Sequence, residues 1–393
     1  MFRLYVQAAR TPGAILPLAA SFVGGGLPIG MLTLAVLLLV RLQSGSLLEA
    51  GIMAAALSTG NAVGVAVQGT VIDRRGQTAV LISASLICLS SLLALLLVTG
   101  HGGPPALTAC LAAAGGAAVP ATPSSMRALW ASLVVDPPLR MAAYALSAVS
   151  FTVATVLGPV LVSGLLLLGG PQAAVLTAAG LACGGGLLFA VTPASRHWAP
   201  AVAPRRPLRW PGQGMRTLIT GNLAIGLAAG LSGIAVPAAA IALGAASLAG
   251  VFGAAGAAGD LCGGLIYGSR RWRLSLATRL VAAQCGSAVI GVCLALASGS
   301  IPAMMLVLPV SGAAGAAQGI TTTALLDDIA EPGMLTGSYA LLVSCGLAGS
   351  AVGYAAGGTL VNAAGIRGTL LAAAAAGAVA AGWYAIRIGG QAK

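Results

Sequence analysis

The sequence predicts an all-α integral membrane protein with twelve transmembrane helices, arranged as two six-helix, pseudo-symmetric bundles. Three observations predict it. Of the 393 residues, 58% are hydrophobic and only 7% charged, with a mean hydropathy of +1.00, whereas a soluble domain carries about 25% charge. Twelve apolar runs follow one another between short polar turns, each near the ~20 residues that cross ~30 Å of hydrocarbon. Several residues of the first half recur in the second at a single offset.

The first run, about 14–40, follows Arg3 and Arg10. It is too long for a secretory signal, and eleven more runs follow. Pro17, Gly24-Gly25-Gly26 and Pro28 predict a bent helix, which membranes tolerate when neighbours satisfy the freed carbonyls. The second run, about 48–72, ends in the turn Gly69-Thr70-Val71-Ile72-Asp73-Arg74-Arg75-Gly76-Gln77, whose three charges must lie outside hydrocarbon. Gly69 is expected to allow close helix approach and Gly76 a tight reversal, since glycine lacks a Cβ. Asp73 can pair locally or meet another helix's positive N-terminus. The third run, about 78–99, closes at His101-Gly102-Gly103-Pro104-Pro105. The fourth, about 106–126, contains Pro120 and Pro123; the fifth, about 141–168, contains Gly158-Pro159; the sixth spans about 172–192. Composition then turns to Pro and Arg over 193–213, which reads as a linker. Six more runs follow at about 216–240, 245–267, 275–297, 303–326, 338–362 and 368–386, with the break near 241–246 the least marked. The expected organisation is a bundle over 1–192, a cytoplasmic linker over 193–215 and a second bundle over 216–393.

A net charge of +12 would suggest nucleic acid for a soluble chain, but here the arginines cluster between apolar runs. Topology explains them better, and no nucleic-acid partner is expected. With the N-terminus inside, seventeen of the nineteen basic residues face the cytoplasm, leaving Arg41 and Arg367 outside. A miscounted helix would invert every later loop and spoil that split, so the positive-inside rule supports the count and places both termini in the cytoplasm of a plasma-membrane protein. The repeat is independent support. A shift of 195 residues lays Tyr144-Ala145-Leu146 on Tyr339-Ala340-Leu341, Gly158 on Gly353, Gly69 on Gly264 and Arg75 on Arg270. The seven cysteines all lie inside apolar runs at spacings that fit no metal motif, so they read as small packing residues.

The turn at Gly69, Asp73, Arg74, Arg75 and Gly76 resembles the signature loop of the major facilitator superfamily, roughly Gly-x-x-x-Asp-Arg-x-Gly-Arg/Lys. Gln77 departs from it where a second basic residue is usual. The second-half counterpart, 264–271, has Gly268 in place of the acid, with Asp327 and Asp328 as compensating partners for Arg270 and Arg271. Two six-helix halves are the repeat architecture described for that superfamily, and the resemblance covers essentially the whole chain. It implies that Asp73 and Arg74 latch the halves on the cytoplasmic side. Gly158-Pro159 resembles a motif of proton-antiport exporters, but Ala154 fills the place of its earlier glycine and only Gly164 hints at its later pair. A plain helix kink is the alternative. The arginine such exporters carry inside helix 4 is missing, and Arg127 stands at that helix's end.

Covalent catalysis needs a nucleophile beside a base. His101 and His197 fall in loops on opposite faces, so no enzyme, metal or cofactor is expected. Among the acids only Asp260 and Glu49 touch a hydrocarbon span. An ionised Asp there costs around 2.5–3.5 kcal/mol on insertion scales. Asp260, about one turn before Gly264 and nearer the cytoplasmic end, is the candidate proton-coupling group; pairing with Arg270, Arg271 or Arg273 is the structural alternative. The resemblance further implies a cavity lined by helices 1, 4, 7 and 10, with Thr33, Thr122, Asn222, Gln318 and Thr322 as candidates. That lining is polar but almost uncharged, and only 4% of the chain is aromatic. The expectation is a monomeric secondary transporter that exports a small apolar compound through the lipid bilayer, with proton entry as its driving force. Metabolite uptake, or a non-transporting receptor or scaffold of the same fold, are the alternatives.

Overall fold

The computed structural model describes residues 2–198, 212–270, 272–329 and 335–389, and no strand forms among them. Among these residues ten helices are long and apolar enough to cross a membrane. Two of them measure 50 and 47 residues. At ~1.5 Å per residue these are more than twice the hydrocarbon thickness. Each contains one non-helical glycine, Gly170 (φ 75°) and Gly365 (φ 73°), so each is two crossings. Twelve crossings result. They are α1 (Ile15–Ser44), α2 (Leu47–Arg75), α3 (Gln77–Gly100), α4 (Pro105–Leu133), α5 (137–169), α6 (171–191), α7 (Gln213–Ala242), α8 (Ala249–Ser269), α9 (Leu276–Ala297), α10 (Ile301–Ile329), α11 (335–364) and α12 (366–389). The two break glycines stand 195 residues apart, the offset of the sequence repeat. Most of the 193–213 segment lies outside the described residues, as does Arg271. The part that is described begins with a single turn, Pro193–Arg196, and ends where α7 starts at Gln213.

The chain divides into two compact units, Met1–Gln43 with Thr59–Arg205, and Ser44–Ser58 with Arg206–Lys393. In the first unit, α1 contains a π-helical turn at Phe22–Gly26. Its three glycines do more than bend the helix. A Cβ on Gly24 would meet the Gly185 and Gly186 backbone of α6 at 2.5 Å, one on Gly25 would meet Thr122 and Pro123 of α4 at 2.5 Å, and one on Gly26 would meet Ala154 of α5 at 2.6 Å. Three neighbours thus pack against one turn because its three glycines have no side chains to hold them off.

In α4, Pro120 and Pro123 break the helix into Pro105–Ala117 and Thr122–Leu133. Broken backbone at membrane depth persists only where protein groups satisfy it. Gln68 of α2 does so: its Nε2 donates to the carbonyls of Ala117 and Val119, both at 2.9 Å, and its Oε1 accepts from the Ala121 N–H at 3.0 Å. Asn61, two turns earlier, donates to the Gly116 carbonyl at 3.3 Å. The close approach of α2 to α4 falls at Gly60 and Gly64, where a Cβ would run into the Ala113 and Ala117 carbonyls. This corrects the expectation for Gly69, which has no neighbour within 4 Å of its Cβ position and sits on an open face of the helix.

The second unit repeats these crossings. A Cβ on Gly259 of α8 would run into the Pro309 carbonyl of α10, and one on Gly312 into the Gly256 carbonyl. Gly226 and Gly230 of α7 face Gly346, Ser350 and Gly353 of α11 in the same way. Gly64 and Gly259 are again 195 residues apart. Unlike α4, α10 carries its proline, Pro309, without a break.

Candidate functional site

In the second unit the crossing of α8 with α10 sets the surroundings of Asp260, a carboxylate in the middle of an apolar helix. Gly312 and Gly315 remove the side chains that would otherwise cover Asp260, whose Oδ1 lies 3.8 Å from the Cβ position of Gly315. Asp260 stands at the midpoint of α8, nine residues before its end at Ser269. At ~1.5 Å per residue that is about 14 Å along the axis, slightly nearer the Ser269 end than the Ala249 end. Arg270, offered as its structural partner, instead lies over the Trp272 ring at 5.9 Å. Among the described residues no ion pair joins Arg270 to Asp327 or Asp328 either.

Asp260 lines a cavity of about 480 Å³ inside this unit. All six helices contribute: Asn222, Ile225 and Ser232 from α7, Gln284 and Ser287 from α9, Ser311, Gln318, Thr322 and Thr323 from α10, Leu342 and Val343 from α11, Leu370, Ala373 and Gly377 from α12. Several amides are already engaged. Asn222 Nδ2 donates to the Leu342 carbonyl at 2.7 Å, Gln284 Nε2 to the Gly377 carbonyl at 3.4 Å, and Ser287 Oγ to Gln318 Oε1 at 3.5 Å. Two buried atoms are left without a partner among the described residues, Gln284 Oε1 and Thr322 Oγ1. Their side chains are 2% and 5% exposed. Buried polar atoms are normally satisfied, so these two orphans are exceptions in a closely packed wall.

Of the residues the sequence singled out for a cavity, Asn222, Gln318 and Thr322 lie together on this wall. Thr33 and Thr122 do not. Thr122 is fully buried in the first unit beside the Cβ position of Gly25, and Thr33 is half-buried on α1. A cavity in the first unit, bounded by Ser21, Phe22, Pro123, Ser147 and Phe151, measures only about 20 Å³, room for one water. Sequence reasoning missed Gln284 and Ser287, because the resemblance implied a cavity lined by helices 1, 4, 7 and 10 and both residues are on α9.

Below the cavity, toward the Ser269 end of α8, a chain of hydroxyls ties three helices. Arg279 Nε donates to Tyr267 Oη at 2.6 Å, Tyr267 Oη meets Thr321 Oγ1 at 2.8 Å, and Thr321 Oγ1 donates to the Ala317 carbonyl at 2.6 Å. The Arg279 guanidinium also lies 4.9 Å from the Tyr267 ring and 5.4 Å from Trp272. Its charge is therefore held at an aromatic face.

The signature turn sits in the first unit. α2 continues through Asp73, Arg74 and Arg75, all exposed, and two arginines in its last turn suit the helix dipole. Gly76 then adopts φ 86°, a conformation open to glycine, with its N–H on the Ile72 carbonyl at 2.9 Å. Gln77, the departure from the family pattern, is 1% exposed. Its Nε2 donates to the Ser125 carbonyl at 3.2 Å and its Oε1 accepts from Ser195 Oγ at 3.3 Å. A neutral amide suits this buried position, where an unpaired charge would be costly. On α5, a Cβ at Gly158 would stand 2.7–2.8 Å from the Gly30 backbone of α1, so Gly158-Pro159 marks a close helix crossing.

No family model matches the sequence, and no curated protein matches it. Solved structures do. The nucleoside transporter NupG superimposes with a TM-score of 0.70 at 14% identity, covering 96% of this chain and 99% of that one. A bacterial homologue of the iron transporter ferroportin, in an inward-facing state, gives 0.70 at 16% identity over 98% and 99%. The human organic anion transporter MFSD10 gives 0.62 at 17% identity over 95% and 99%. With its twelve crossings and its 195-residue repeat, the chain has the fold of the major facilitator transporters.

Proposed function

We propose that this chain is a secondary active transporter that exports a small, largely apolar compound by alternating access, driven by proton entry through Asp260. The observation that carries this reading is the cavity of about 480 Å³ inside a membrane bundle, walled by aliphatic and neutral polar side chains around a single carboxylate. A volume in that range suits a small organic ligand. An ionisable side chain at mid-helix in a membrane is expensive and is retained mainly for function. The positive-inside split supports a plasma-membrane orientation with both termini and the 193–215 linker in the cytoplasm. In this reading Asp73 and Arg74 latch the cytoplasmic side. Asp73→Asn should then leave folding intact while changing turnover or cytoplasmic accessibility to a membrane-impermeant thiol reagent; both unchanged would remove the latch.

The coupling test uses the full chain in proteoliposomes with an imposed pH gradient. The unmutated protein should accumulate substrate against its gradient. Asp260→Asn should abolish the response to pH while substrate exchange across the membrane survives. If the pH gradient drives no accumulation by the unmutated protein, proton coupling and the role of Asp260 both fall.

A further inference from the structure

We infer that the turn between α8 and α9 binds the phosphodiester of an anionic phospholipid. Arg270, Arg273 and Arg279 are its cationic partners, and Trp272 and Tyr267 are the rings that hold two of them in place. The site stands apart from the cavity and from any compound that crosses there. Unmet charge is the first argument. Arg270 and Arg279 lie over the same Trp272 indole, at 5.9 and 5.4 Å, and Arg273, next to Trp272 in the chain, is exposed. Among the described residues none of the three has an ion-pair partner. The acid that the first half carries as Asp73 is Gly268 here, and Asp327 and Asp328 make no ion pair that would replace it. Arg279 is the fourth residue of α9, whose first turn has no acid, so its charge adds to the positive end of the helix dipole. Like charges gathered this way call for an anion from outside the chain.

Rigidity is the second argument, and it separates a binding site from arginines that only set topology. A topological arginine needs no fixed place. Here Arg279 is half-buried, its Nε donates to Tyr267 Oη at 2.6 Å, and its guanidinium lies 4.9 Å from the Tyr267 ring. Tyr267 and Trp272 pack on each other with centroids 4.6 Å apart, and Trp272 Nε1 donates to the Tyr267 carbonyl at 3.0 Å. A guanidinium stacked on a ring still presents N–H groups at its edge, where phosphate oxygens bind. The 195-residue offset places Ile72, Gln77 and Ala84 of the first half where Tyr267, Trp272 and Arg279 stand. The cluster is therefore peculiar to the second unit and no product of the repeat.

Position selects a lipid over free phosphate. Both α8 and α9 cross the membrane, so the short turn that joins them emerges at the lipid–water boundary, the level at which Tyr and Trp rings settle. Leu265 and Leu274, which flank the cluster in the chain, are 65% and 54% exposed and offer apolar surface to acyl chains. Bilayer phosphates are already concentrated at this depth, and juxtamembrane arginines attract the lipids with net negative charge. Phosphatidylcholine carries the same phosphate beside a cation of its own, so the site should discriminate against it.

The test uses the full-length protein, delipidated in neutral detergent, and native mass spectrometry. The probes are dioleoyl phosphatidylglycerol, dioleoyl phosphatidylcholine and inorganic phosphate. The protein should retain phosphatidylglycerol at least fivefold more tightly than phosphatidylcholine, and inorganic phosphate in about tenfold excess should not displace it. Arg270→Gln combined with Arg273→Gln, both exposed positions, should cut that preference at least threefold. Trp272→Leu, which leaves every charge in place, should weaken phosphatidylglycerol several-fold by releasing two guanidiniums. Removing equal charge from the first unit, by Arg74→Gln with Arg75→Gln, should leave the preference intact. Thermal unfolding in detergent checks that each variant is folded; should Trp272→Leu fail to fold, the two arginine pairs still decide. Equal retention of the two lipids, equal loss from the two arginine pairs, no loss from a folded Trp272→Leu protein, or displacement by inorganic phosphate would each overturn the assignment. None of these readouts depends on transport, so the site and the transport reading stand or fall separately.

Discussion

Gln68 is a polar side chain that a helix in hydrocarbon carries at a cost, and its three hydrogen bonds to the break in α4 explain why it is there. Truncating it leaves two carbonyls and one N–H unsatisfied in a dry environment, at roughly 1–3 kcal/mol for each buried group. Gln68→Leu should therefore lower the thermal unfolding midpoint sharply, or abolish folded expression. The neighbouring Gly69→Ala should be neutral or slightly stabilising, because no atom lies near its Cβ position and alanine is the better helix former by ~1 kcal/mol. Equal effects of the two changes, measured by thermal unfolding in detergent, would refute the account of the break. The residue scale is also where the sequence was least legible. Gln77 showed only as an absent basic residue, and nothing in the chain near it announces Ser125 and Ser195 as its partners.

At the scale of elements, the Gly-Pro pair of α5 allows two readings, a kink or part of an antiport device. The structure supplies a packing role that holds under either. Gly158 and Gly30 bring α1 and α5 into backbone contact, and any side chain at 158 must force them apart. Gly158→Ala should cost about 1–3 kcal/mol, the range for overpacking a tight contact. Gly164→Ala, on the same helix with nothing within 4 Å, should cost nothing measurable. Thermal stability and flux measured on the same two variants separate the readings. A stable Gly158→Ala protein that transports but loses its response to a pH gradient would favour the coupling motif over simple packing. Helix number itself was legible from run length and charge. The turns at Gly170 and Gly365 were not, because a run of apolar residues looks alike whether or not one glycine in it turns left-handed.

For the whole molecule the testable claim is topology. His197, after α6, and His101, after α3, should face opposite sides of the membrane, and both are exposed. Single cysteines at these two positions, in a background without the seven native cysteines, should label with an impermeant reagent from opposite sides. Labelling of both from one side would overturn the twelve-crossing orientation. Ser195 would be a poor choice for the same purpose, since it is 1% exposed and bonded to Gln77.

The sequence by itself determined the class, the number of crossings and the doubling of the chain. These follow from hydropathy, charge placement and a repeat offset, all of which are local or additive along the chain. It also marked Asp260, since a lone carboxylate in an apolar run is visible without any neighbour. Tertiary structure alone decided where the polar groups meet. Asn222, Gln284, Gln318 and Thr322 are spread over about a hundred residues and three helices, α7, α9 and α10, and come to one wall only through the packing of that bundle. Thr33 and Thr122 belong to the first unit, where Thr122 is fully buried and Thr33 half-buried, and which way a side chain faces depends on helix rotation. Rotation is set by which small residues interlock across a crossing, and in an alanine- and glycine-rich chain nearly every face offers some.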